Sequence, residues 1–175
     1  MNIPNILILL RLSDIGFSTR SVVLLYIFYN AVATLASIPA GVIADRIKPQ
    51  YAYAISLSAF GITYLLLGTS NSHLLAIIAI GIYGLFPAFT DGVGKSWIGK
   101  LSSKTERGRS QGVYQASMNF AILGAGIWGG ALWRKNDFEL PLVMAGIGAL
   151  IGVLLLLLRY SAITSSTDET RRSIS

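Results

Sequence analysis

Apolar residues in this chain fall into long uninterrupted runs separated by short polar punctuation. Val22–Ala44 holds 23 residues without a charge, and Tyr51–Gly68 holds 18. A hydrocarbon core of ~30 Å takes about 20 helical residues at ~1.5 Å each. Each run therefore predicts a spanning helix. Three more follow, at Leu74 to about Ile98, Gly112–Trp133 and Leu140–Leu158. The expected fold class is all-α, a polytopic membrane helical bundle with five full transmembrane helices. Ile6–Leu10 is apolar but too short to cross, and it lacks the basic start and cleavage site of a signal peptide. It reads either as an interfacial stub or as the remnant of a sixth helix over residues 1–10; residues 11–160 form the expected bundle, and 161–175 a polar, disordered tail.

The breaks between runs are as informative as the runs. Arg11–Ser21 reads as a loop, with Ser21 the helix cap. An acid, two bases and a proline sit in Asp45–Gln50, a tight polar turn between two spans. Thr69–Ser72 carries no charge, and His73 at its edge reads as an interfacial histidine, with proton sensing the alternative. Within the third run, Pro87 removes a backbone donor and predicts a kink. Asp91 and Lys95 follow four residues apart, the spacing at which an acid and a base meet on one helix face.

Polar residues inside the runs mark candidate sites. Tyr26, Asn30, Thr34, Ser37 and Gly41 recur at helical spacing on the first span. They suit close packing or the wall of a solute path. Gln115 and Asn119 recur on the fourth, either bonding across helices or lining an aqueous cavity. Gly41 belongs to a small-residue series, and Gly126 and Gly130 form a GxxxG pair, both expected to let helices approach. The second and fifth spans carry few polar side chains and read as peripheral and lipid-facing.

Composition narrows the function. Hydrophobic residues are 53% and charged residues 13%, against roughly 25% charged in soluble domains. The chain has no cysteine and one histidine, so neither a disulfide nor a metal centre is expected, and no cofactor is implied. No Gly-x-Ser-x-Gly, HExxH or P-loop pattern occurs, which argues against an enzyme. The net charge of +6 belongs to bases beside membrane spans rather than to a nucleic-acid surface. Ten of the 14 bases fall on the side shared by the 45–50 turn, the loop after the third span and the tail. That side is expected to be cytoplasmic in a multi-pass plasma (cell inner) membrane protein.

Gly41-x-x-x-Asp45-Arg46 resembles the G-x-x-x-D-R-x-G-R-R/K signature between the second and third helix of each half of a major facilitator superfamily (MFS) transporter. Glu106–Arg109 followed by Gly112 resembles that family's cytoplasmic loop entering the fifth helix of a half, and Gly124–Gly130 the glycine-rich end of that helix. Lys48, Pro49 and Gln50 depart from the signature. The resemblance covers about residues 3–160 and implies a C-terminal half, with the first helix present only as its end. It implies that Asp45 and Arg46 act as a conformational latch rather than as solute ligands.

The expected function is secondary, alternating-access transport of a small solute, with protons a candidate coupling ion. Asn30, Gln115 and Asn119 are candidates for the path, and Asp45, Arg46, Asp91 and Lys95 for gating. The expected partners are the lipid bilayer, the solute, and a missing N-terminal half or a second copy. The alternative is a non-transporting scaffold or assembly protein, or an inactive truncated fragment.

Overall fold

The computed structural model describes residues 3–103, 105–132 and 139–172. The expected loop at Arg134–Glu139 falls largely outside them, as does Trp133. Among the described residues there are seven helices and no strand: α1 (Ile3–Asp14), α2 (Thr19–Arg46), α3 (Pro49–Thr69), α4 (His73–Tyr83), α5 (Leu85–Leu101), α6 (Arg107–Leu132) and α7 (Glu139–Arg172). Four segments are long and apolar enough to cross a membrane: Thr19–Arg46, Pro49–Thr69, His73–Thr90 and Glu139–Leu158. Helix α6 has 26 residues, about 39 Å of length, but its glycines, serines and amides dilute its apolar character.

Local chemistry explains the boundaries. Helix α1 runs four residues beyond the expected loop start and ends in a Schellman turn. There Phe17 N–H donates to Leu12 O at 3.1 Å and Gly16 N–H to Ser13 O at 3.1 Å. Gly16 takes φ +103°, a conformation that glycine adopts without steric cost. The cap of α2 is Ser18, not Ser21: the Ser18 hydroxyl accepts the N–H of Ser21 at 3.3 Å. Pro49 opens α3 at the position where its missing donor costs nothing. The third apolar run is divided at Gly84, between α4 and α5. Pro87 lies three residues on, and a proline ring collides with the carbonyl four residues before it, here that of Tyr83. Helix α7 continues to Arg172, past the end expected near residue 160. No glycine or proline follows Arg159 to stop it, and extending an existing helix is far cheaper than starting one.

The packing centre is α3, flanked by α7, α5 and α4. Ten of its residues are buried, among them Ala52, Ser56, Gly61, Thr63 and Leu67. This corrects the expectation that α3 faces lipid. Its hydroxyls at Ser56 and Thr63 are packed inward, and Thr63 donates to Ala79 O of α4 at 3.0 Å. Glycines set the close approaches. A Cβ on Gly61 would lie 3.1 Å from Gly146 O, and one on Gly146 would lie 3.0 Å from Gly61 O. Here α3 and α7 touch backbone to backbone. On the other side, a Cβ on Gly84 would meet Val32 Cγ1 of α2 at 2.7 Å. Between these crossings stack Tyr29, Tyr83, Phe86, Phe60 and Tyr64, with successive ring centroids 4.1–5.9 Å apart. Helix α7 shows the peripheral character expected of it, with Leu142 buried against the core and Leu154, Leu155 and Leu158 exposed.

The two ends of the bundle are tied differently. At one end Arg11 is 1% exposed; its Nε donates to Leu67 O and its Nη2 to Asn71 Oδ1, both at 2.8 Å. The cation thus caps the carbonyl end of α3. Arg11 lies outside the spanning segments. Burial lowers its pKa, and the charges of Glu139 and Asp14 oppose that shift. At the other end the hydroxyls of Tyr53 (α3) and Tyr114 (α6) hydrogen-bond at 2.5 Å above Gly94 of α5.

Candidate functional site

A cleft of about 540 Å³ opens between α2 and α5. The stripe of small and polar residues on α2 forms one wall, with Asn30, Thr34, Ser37, Gly41 and Asp45 along it. The facing wall belongs to α5, with Pro87, Ala88, Val93 and Trp97. The Gly84–Val32 contact holds α2 against the α4–α5 junction. Further along, Ala40 of α2 is buried in one cluster with Phe89 and Val93 of α5 and Ala52 of α3, so the cleft opens beside a packed α2–α5 contact.

Two α2 side chains in the cleft are already bonded within their own helix. Asn30 Nδ2 donates to Tyr26 O at 2.7 Å, and Ser37 Oγ to Ala33 O at 2.6 Å. Both remain exposed. Such back-bonding satisfies a polar group without a tertiary partner and leaves its acceptor atoms available. Asp45 also lines the cleft and is exposed, and Arg46 ends α2 beside it.

Other expected residues lie elsewhere. Gln115 and Asn119 are exposed on α6 and do not line this cleft. The neighbouring hollow between α5 and α6, about 490 Å³, is lined instead by Ser102, Glu106, Arg109, Tyr114 and Ser117 among others. Asp91 and Lys95 lie on α5, but their side chains fall outside the described residues. Among the described residues, a Cβ on Gly41 or Gly130 would meet nothing within 4 Å. Gly126 borders a narrow apolar slot with Leu7, Tyr64 and Pro141.

Among the residues lining the cleft, Tyr29 and Ala44 on α2, and Ala88, Val93 and Trp97 on α5, were not singled out from the sequence. The last two lie one helical turn apart, a spacing that is visible in the sequence but does not say which helix they face. The Tyr53–Tyr114 pair gave no signal at all, because its partners are 61 residues apart.

Apolar helices of spanning length around a solute-sized polar cleft define an integral, multi-pass membrane protein. The profile of the Major Facilitator Superfamily matches residues 1–174, and the chain belongs to that superfamily. It is 29% identical over 133 residues to an uncharacterized MFS-type transporter of Methanocaldococcus jannaschii, covering 76% of this chain and 33% of that relative. To a second uncharacterized MFS-type transporter of the same organism it is 24% identical over 149 residues, covering 83% of this chain and 37% of the relative. The chain thus spans about a third of the length of these curated relatives.

Proposed function

We propose that this chain supplies the C-terminal half of a secondary transporter that moves a small solute by alternating access, and that the α2–α5 cleft is its share of the solute path. The observation that carries this reading is the placement of the α2 polar stripe. It faces an open space of about 540 Å³ instead of being packed away. Transporters of this kind rock two halves about a site at their interface. An N-terminal half, or a second copy, would cover the open faces of α2 and α6. Gly41 and Gly130 would then pack against that counterpart, and Gln115 and Asn119 would face the shared path. Asp45, Arg46, Asp91 and Lys95 act at the mouth as gating residues. The protein sits in the plasma (cell inner) membrane with its tail in the cytoplasm, as the ten-to-four division of bases favours.

The test is uptake by proteoliposomes holding the chain together with its complementing half, screened over labelled sugars, amino acids and amines. Asn30→Leu should cut uptake at least tenfold at unchanged protein yield, and Asp91→Asn should slow turnover. Wild-type uptake in both variants would reject the assigned path and gate.

A further inference from the structure

We infer that the cleft selects a hydrogen-bond-donating, positively charged amphipath, such as a protonated amine with an apolar body, over an anion; this rests on the α2–α5 cleft being a solute path. Three observations converge on it. First, one amide N–H of Asn30 and the hydroxyl proton of Ser37 are committed to helix carbonyls. What these side chains retain for a solute is the amide oxygen, the remaining amide N–H and the hydroxyl lone pairs. Acceptors therefore outnumber donors on that wall.

Second, Asp45 is the one charged side chain among the described residues lining the cleft. A carboxylate adds acceptor sites and a negative charge to that end of the cleft. Arg46 and Lys48 flank it in sequence but do not line the space. Third, the opposite wall presents Trp97, whose ring face attracts a cation, beside the apolar Pro87, Ala88 and Val93. An anion entering here would lose hydration and meet acceptors. An ammonium would meet acceptors in turn along the α2 wall, the Asp45 carboxylate near the turn and then Ser37 and Asn30, about 12 and 22 Å further along the helix, while its apolar body lies against α5.

The sequence has no cysteine, so one introduced thiol is the chain's only one. The probes are two thiol reagents of similar size, the cationic 2-(trimethylammonium)ethyl and the anionic 2-sulfonatoethyl methanethiosulfonate. Their rates are compared on Thr34→Cys in membranes and, as an uncharged reference, on 2-mercaptoethanol in free solution. Ala33→Cys repeats the measurement should Thr34→Cys fail to fold. The expected cation-to-anion rate ratio in the cleft is at least tenfold above the reference, and Asp45→Asn lowers it at least threefold. An equal or reversed ratio overturns the inference while leaving the cleft a water-filled path. An unchanged ratio in Asp45→Asn overturns the part given to that carboxylate. If the cleft thiol reacts with neither reagent while the reference reacts, the path itself fails, and the inference with it.

Discussion

Helices α2 and α3 start from similar material and end in opposite surroundings. Both contain long uncharged apolar runs with a few hydroxyls. Yet none of the most apolar stretch of α2 is buried, while half of that of α3 is. Leu35 and Ile38 on α2 are 75% and 78% exposed, whereas Thr63 and Ser56 on α3 are 0% and 1% exposed. The difference lies in what each helix can approach. Helix α3 meets α7 through Gly61 and Gly146, where backbones touch. Helix α2 spends its own glycine, Gly41, on open space. Within a bilayer, apolar character does not decide burial, because lipid solvates leucine as well as another helix does. Surface shape decides it.

The sharpest way to break the comparison is to spoil that shape. Gly61→Leu should force α3 from α7, since overpacking a tight site costs about 1–3 kcal/mol. Folded yield and unfolding temperature in detergent check it, and Gly41→Leu, made in the same chain, should leave both unchanged. Next in size is Arg11→Ala. Removing a buried guanidinium leaves the Leu67 carbonyl and Asn71 without that donor, at a cost of about 1–3 kcal/mol. Unfolding in increasing denaturant reads it, and wild-type stability would mean that water replaces the side chain fully.

The smallest effect sharpens the contrast. Thr63→Val deletes a hydroxyl that bonds from α3 to α4 and should cost about 0.6 kcal/mol, the average for such interhelical bonds in membranes. Ser37→Ala deletes one that bonds only within α2 and should change stability by less than about 0.5 kcal/mol. Equal losses in the two would show that the α2 stripe is structural after all.

Much of the architecture was legible because it depends on local rules. Run length predicted the four segments that are long and apolar enough to span, while the fifth expected span, α6, is helical but less apolar. The proline before Gln50 started α3, and Pro87 divided the third run. The spacing of Asn30, Thr34 and Ser37 put them on one face, and the structure keeps them together in one cleft. What failed depended on partners. Counting polar residues placed α3 in lipid, because Ala52, Ala59 and Gly61 look featureless until a second helix is laid against them. Arg11 looked like a loop base because its acceptors sit 56 and 60 residues away.

The junction of Gly61 with Gly146 also sets a timetable. The two glycines are 85 positions apart, so at about 5–20 residues per second a ribosome needs roughly 4–17 s to go from one to the other. Throughout that interval the flattest flank of the nascent third helix has only lipid beside it. That seam closes only when α7 leaves the translocon. A message cut short before α7 would therefore strand α3 with its seam open, an obvious substrate for membrane quality control.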